Sequence, residues 1–182
     1  DERAFEGTGI MLIGAVLVFH DVSDTKAMTR ALAHQASHDA LTGLANRTEF
    51  ERDLTVALDD ATRGVPSAVL YLDLDQFKVV NDSDGHVAGD ALLCAVSAVL
   101  EGQVRATDTV ARLGGDEFGV ILRSCREDQA LVLATSLCEA VAAERFVWEG
   151  RQHRIGVSIG LVSLDGSSGT TVADVLRIAD SA

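Results

Sequence analysis

The chain has 182 residues, with 15 Lys and Arg against 28 Asp and Glu, a formal charge of −13. That length suits one domain with a sizeable core plus a short extension, and it excludes two domains of ordinary size. The charge argues against nucleic acid as a partner, but not against a small phosphorylated ligand, whose charge one divalent cation and a few local Arg or Lys groups can offset.

The chain opens in mid-pattern and without Met, which reads as a piece of something longer. Its first twenty residues, with AVLVF at 15–19, suggest a strand or hairpin arm. The apolar stretch at 9–19 is too short to cross a bilayer, and the acidic DERAFE before it is unlike a secretory signal, so no membrane contact is expected of this piece. A helix is expected over about 25–38, capped by Ser23 or Asp24, with Met28, Leu32 and Ala36 on one thin apolar stripe. Such a stripe suits a linker helix resting on a neighbour or on a copy of itself. Cys94, Cys125 and Cys138 match no metal-binding or redox spacing and read as buried or half-buried free thiols in a reducing compartment, the cytoplasm.

Asn46 followed by Glu49 forms a capping-box pattern, and Phe50, Leu54, Ala57, Leu58 and Ala61 supply the face of the helix it starts. SAVLYLDLD (67–75) is an apolar run that turns acidic at its end, the pattern of a buried strand delivering side chains to a site at its edge. A short helix is predicted within 76–86, then a long one from Val87 to about Val104. A short strand near 109–112, a glycine turn and a strand at 118–122 follow, then a helix over about 127–144. RFVWEG and HRIGVSIGLVSL read as two late strands, and a final helix begins near Val172. This order describes an α/β sandwich with a mixed sheet. The absence of GxGxxG and of GxxxxGK[ST], with a hairpin where a crossover helix would stand, argues against a doubly wound fold.

Two carboxylate clusters stand out. Asp73 and Asp75 end the apolar strand, and Asp116 and Glu117 follow Gly114 and Gly115. If the two strands are neighbours, Asp73 and one of the second pair converge on a divalent cation, because magnesium takes few protein oxygens and completes its shell with water and substrate phosphates. Consecutive strand residues face opposite ways, so Asp116 and Glu117 are not expected to share one role. The glycines permit positive φ and let a phosphate approach the backbone. The competing reading is an ordinary hairpin with solvated acids.

GGDEF (114–118), with DALTGLANRTEF (39–50), DLDQFKVVND (73–82), GHVAGD (85–90), ARLGGDEF (111–118) and SIG (158–160), closely resembles the GGDEF domain, the diguanylate cyclase family, over nearly all of 37–181 and in the family's order. The resemblance implies an α/β sandwich like the palm of nucleotidyl cyclases and polymerases, with a ferredoxin-like core and a mixed, mainly antiparallel sheet. It implies condensation of two GTP into cyclic di-GMP and two pyrophosphates, with Mg2+, or Mn2+ in its place, as cofactor. By that likeness Asp73, Asp116 and the backbone carbonyl of Leu74 bind the metal, and Glu117 helps activate the 3′-hydroxyl. Asn81 and Asp90 correspond to guanine readers, Lys78 to a phosphate contact, and Gly114 and Gly115 to the substrate-binding turn. A carboxylate at Asp90 accepts from guanine N1–H and its exocyclic amine, a pairing adenine lacks. One domain reads one guanine, so catalysis requires a homodimer. The runner-up is a catalytically weak module that binds GTP or cyclic di-GMP and regulates an adjoining EAL phosphodiesterase domain.

Several residues have simpler readings. Asp75 caps the following short helix, His86 bonds within a turn, and Phe50, Phe77 and Phe118 are core or pocket-wall residues. Arg112 forms a salt bridge flanking the hairpin or reaches phosphate, and Asn46 caps its helix. Arg105 and Asp108 (RATD, 105–108) read as a surface pair on chemistry alone, but stand where the family's RxxD site binds inhibitory product. The expected organisation is 1–22 as the last strands of a PAS-like sensor domain, 23–38 as linker helix, and 39–182 as a GGDEF domain cut short before its last strand and basic phosphate contacts. An EAL domain downstream, and a membrane anchor in missing N-terminal segments, are further expectations.

Overall fold

A computed structural model describes residues 36–166 and 171–180. The expected sensor-domain strands at 1–22 lie outside those residues, as does the linker helix except for its last three positions. Residues 36 and 37 are helical there, and His38 forms an antiparallel bridge with Ala45.

The elements run β1 (Ala45–Asn46), α1 (Arg47–Thr62), β2 (Ser67–Asp75), α2 (Phe77–Asp84), α3 (His86–Gln103), β3 (Thr109–Gly114), β4 (Glu117–Leu122), α4 (Glu127–Ala143), β5 (Phe146–Trp148), β6 (Arg151–His153), β7 (Gly156–Leu164) and α5 (Val172–Asp180). Five strands make the main sheet in the order β1-β3-β4-β2-β7, and β5 and β6 pair in a hairpin of their own. Only β1 with β3 is parallel; every other pairing in the main sheet is antiparallel. The α/β sandwich with a mixed, mainly antiparallel sheet is therefore as expected. The late region differs. HRIGVSIGLVSL divides at Arg154–Ile155, so that His153 ends the separate hairpin and β7 begins at Gly156.

Helices cover both faces of the sheet. Ala68, Leu70, Leu72 and Leu74 of β2 point into a core shared with α2, α3 and α4, while Val69 and Tyr71 point into a second core with Phe50, Leu54 and Ala57 of α1 and Val175 of α5. A strand covered on both sides has no solvent face, which explains its unbroken apolar run. The burial ends at Asp73 and Asp75, both exposed, where the strand leaves the core.

Local signals account for the helix that closes the second core. Asn46 Oδ1 accepts from the Glu49 backbone N–H at 3.0 Å, the expected cap. The reciprocal half of the capping box does not form, because the Glu49 carboxylate pairs with Arg52 one turn on. Phe50 and Phe118 are fully buried, and Phe77 packs against the first core. Cys94 is exposed, contrary to expectation, since its face of α3 turns outward beside the Leu41 carbonyl; Cys125 and Cys138 are half-buried.

Gly119 of β4 lies under the Phe50 ring, and a Cβ built there would stand 2.6 Å from it. A Gly119→Ala substitution forces the ring off its seat at a cost of about 1–3 kcal/mol, the range for overpacked cores. The expected result is a lower urea midpoint with an unchanged slope; an unchanged midpoint would show that the ring yields freely.

Candidate active site

Strand register brings the acidic clusters together. β2 runs antiparallel to β4 with Leu72 opposite Phe118 and Asp73 opposite Glu117. Directly opposed residues share a face, so Asp73 and Glu117 project together at the strand ends. Asp116 lies one residue back in the turn, and its carbonyl accepts from Leu74 N–H at 3.3 Å. Of the second acidic pair, Glu117 is thus the one facing Asp73 across the ladder, while Asp116 hangs from the turn at the level of Leu74. The turn itself needs its glycines: Gly115 has φ +54° and Gly114 φ +150°, and the ladder is irregular between Arg112 and Gly114.

Two arginines hold this turn. Arg112 Nε and Nη2 donate to the Gly115 carbonyl at 3.1 and 2.9 Å, and Nη1 reaches the Asp39 carboxylate at 3.2 Å. Of the two readings for Arg112, the structure contains the salt bridge. Partial burial pushes the Asp39 carboxyl pKa up, but hydrogen bonds from the Thr42 backbone and hydroxyl, with the Arg112 guanidinium, outweigh it and hold the group below its ordinary range. Arg47, not singled out from the sequence, stands at the first position of α1, donates through Nε to the Leu113 carbonyl at 3.0 Å and approaches Glu117 Oε2 at 3.3 Å. A cation in a helix's first turn opposes the macrodipole, so its presence there was a readable sign of an acidic partner.

Tyr71 completes this corner. Burial, then the hydrogen bond and charge of Glu117, push its phenol up to about 12, with Arg47 pulling the other way.

Asp75 does not cap the next helix. Its carboxylate accepts from Ser158 Oγ at 2.9 Å and covers Gly156, while Gln76 occupies the cap position in a left-handed conformation with φ 63°. Lys78 is exposed on α2. Asn81, also on α2, is half-buried, and its Oδ1 has no hydrogen-bond partner among the described residues. A Cβ on Gly89 of α3 would stand 2.1 Å from that oxygen, so the two helices touch where Asn81 sits, one residue from the exposed Asp90. A buried amide oxygen without a partner is costly in the free protein and suits a group that a ligand completes.

Arg105 and Asp108 do not form the surface ion pair that chemistry alone suggests. Asp108 Oδ2 accepts from Arg105 N–H and its Oδ1 from Arg123 N–H, both at 3.1 Å, leaving the Arg105 side chain exposed.

Among the described residues no three His, Cys, Asp or Glu side chains gather as a cage for a metal. The donors at the hairpin mouth, two carboxylates and a backbone carbonyl, are all hard oxygens. That set fits magnesium, which a nucleotide's phosphates and water complete. Nor is any helix among the described residues long and apolar enough to cross a membrane.

Fold and site together define an α/β domain whose β2 and β4 meet at acidic ends, with a half-buried, unpartnered amide on α2. A family model described as diguanylate cyclase, GGDEF domain, matches residues 36–182, and the chain belongs to that family. It is 45% identical over 169 residues to the probable diguanylate cyclase DgcE of Escherichia coli strain K12, covering 92% of this chain and 15% of that protein. It is 41% identical over 154 residues to the diguanylate cyclase TpbB of Pseudomonas aeruginosa strain UCBPP-PA14, covering 84% of this chain and 35% of that one. The chain therefore spans about a third or less of these curated relatives. Among solved structures, the coiled coil and GGDEF domain of DgcB from Caulobacter crescentus, in complex with c-di-GMP, aligns with a TM-score of 0.82 at 26% identity, over 89% of this chain and 86% of that one.

Tyr71 is the sole tyrosine of the chain, so tyrosinate absorbance reads it alone. Its titration in metal-free, nucleotide-free protein is expected near 12, moving down in Glu117→Gln and further up in Arg47→Gln. Because the folded pKa exceeds the ordinary value near 10, the contribution to stability is complete below pH 10 and is lost as pH rises through 12. A midpoint that does not move in Glu117→Gln would remove Glu117 from the phenol's surroundings, and one near 10 in the unaltered protein would overturn the burial of Tyr71 as well.

Proposed function

We propose that this chain is the catalytic domain of a diguanylate cyclase that condenses two GTP into cyclic di-GMP and two pyrophosphates. The observation that carries the reading is the Asp73–Glu117 register, which sets Asp116 and Leu74 at the same strand end. In each half-reaction the 3′-oxygen of one GTP bonds the α-phosphorus of the other, the bond from that phosphorus to pyrophosphate breaks, and the 3′-proton passes to a base. Glu117 takes it in this reading, which the Arg47 and Tyr71 contacts to its carboxylate support. Asp73, Asp116 and the Leu74 carbonyl would hold Mg2+, or Mn2+ in its place, which would supply charge stabilisation to the phosphates.

Asn81 and Asp90 select guanine. The partnerless Asn81 oxygen supports this, since it accepts a donor from the base, and Asp90 accepts from N1–H and the exocyclic amine. Lys78 contacts phosphate, and the side-chain-free rim at Gly114 and Gly115 leaves room for it. Each chain carries one such reader, so two domains face each other antiparallel to align both attacks, and the 23–38 linker helix governs their meeting. A PAS-like domain upstream of a domain at 39–182, and an EAL domain downstream, complete the proposed protein. Product inhibition at Arg105 and Asp108 is supported by the exposed Arg105 guanidinium, suited to a phosphate, beside an Asp108 carboxylate held rigid by two backbone N–H groups.

The full-length protein with magnesium and GTP is expected to give cyclic di-GMP by chromatography. Asp116→Ala should reduce this to background, and ATP should be turned over at least about a thousandfold more slowly. Binding of nonhydrolysable GTP without turnover would instead mark a regulatory module for an adjoining phosphodiesterase. Arg105→Ala is expected to keep initial rates and abolish their decline as product accumulates; a decline as steep as in the unaltered protein places inhibition elsewhere.

A further inference from the structure

The β5–β6 hairpin takes no part in the main sheet or in the reaction as derived above, yet it makes an unusual contact. Asp84, the last residue of α2, is only 9% exposed in its side chain, and a carboxylate at a helix C-terminus opposes the macrodipole. Two basic groups from the hairpin compensate it. Arg151 Nη1 lies 3.2 Å from Asp84 Oδ1, and His153 Nε2, 15% exposed, lies 2.9 Å from Oδ2. The His153 contact is short but not aligned as a hydrogen bond, and neither atom has another partner among the described residues. Arg151 and His153 thus share Asp84 between them, one on each carboxylate oxygen, and removing both leaves that carboxylate buried and uncompensated.

The same hairpin also reaches α3. Phe146 of β5 is buried in the first core with Val80 of α2 and Ala88 and Leu92 of α3, and its ring contacts His153 at a centroid distance of 6.0 Å. The hairpin so bridges the two helices around the turn at Gly85, whose N–H donates to the Asn81 carbonyl at 2.9 Å. This is the corner at which Asn81 presses on Gly89 beside Asp90.

We infer that the β5–β6 hairpin is a brace for the base reader: Arg151 and His153, acting on Asp84, are positioning residues that set the Asn81–Asp90 spacing. The inference rests on the guanine-selecting role proposed above. Releasing Asp84 lets the end of α2 shift against α3, which loosens contact with the base and leaves the acids at the end of the β2–β4 ladder unmoved.

The test uses the full-length protein and an Arg151→Ala, His153→Ala double variant. Half-saturating GTP is expected to rise about five- to tenfold with kcat within twofold, while inhibition by inorganic tripolyphosphate, which has no base, stays unchanged. His153→Gln, which keeps an N–H donor toward Asp84, is expected to stay near the unaltered value. An unchanged GTP requirement overturns the brace, and so does an equal loss toward GTP and tripolyphosphate, which would report general loosening. If the unaltered protein makes no product, the cyclase reading fails separately, and calorimetry of the same ligands decides the brace: GTP affinity lost with tripolyphosphate affinity retained supports it, and equal change or no GTP binding to the unaltered protein overturns it.

Discussion

The register of β2 against β4 is the constraint from which the site follows. Six consecutive pairs, from Ala68 with Leu122 to Asp73 with Glu117, tie the two strands. A slip by one residue would turn Leu70 and Leu72 out of one core and Val69 and Tyr71 out of the other, so both helical layers resist it. Burial on both faces thereby fixes the position of the exposed Asp73 and the half-buried Glu117 at the strand ends. The glycine turn then needs only to reverse the chain within Gly115 and Asp116, and Arg112 holds that reversal by binding the Gly115 carbonyl and Asp39 together.

Charge follows a related logic. The chain is strongly acidic, yet near the hairpin most basic groups already have carboxylate partners: Arg47 with Glu117, Arg112 with Asp39, Arg123 with Asp53. Lys78 and Arg105 enter no ion pair among the described residues and are exposed. A triphosphate approaching the rim thus meets uncommitted cations at few places, and the local carboxylates repel it unless a divalent ion intervenes. The divalent ion proposed at this rim is the counterpart of that acidic background.

What the sequence made legible was local or periodic. SAVLYLDLD announces its double burial and its acidic exit by composition alone, Asn46 announces a helix start, and Gly114-Gly115 a turn. Arg47 and Glu117 are 70 residues apart, and Arg151 and Asp84 are 67 apart, so no window along the chain contains either pair. Asp75 was misread for the same reason. A residue between a strand and a helix invites a cap, but β7 lies alongside and Ser158 offers the carboxylate a hydroxyl that no neighbour in sequence could. The division of the late strands at Arg154–Ile155 was hidden because both halves satisfy a strand pattern, and only sheet membership separates them.

The pairs Arg47–Glu117 and Arg151–Asp84 are of one kind: a charged side chain placed where its own element disfavours it, compensated by a distant one. Arg47 opposes the dipole at the start of α1, and Asp84 opposes it at the end of α2. In isolation each would weaken its helix; in the fold each joins a helix end to a distant element, the Glu117 edge in one case and the β5–β6 hairpin in the other. A helix-compatible residue at either position would stabilise the helix and leave that junction free. Local disfavour matched by distant compensation is therefore how these two helix ends are tied to elements far along the chain.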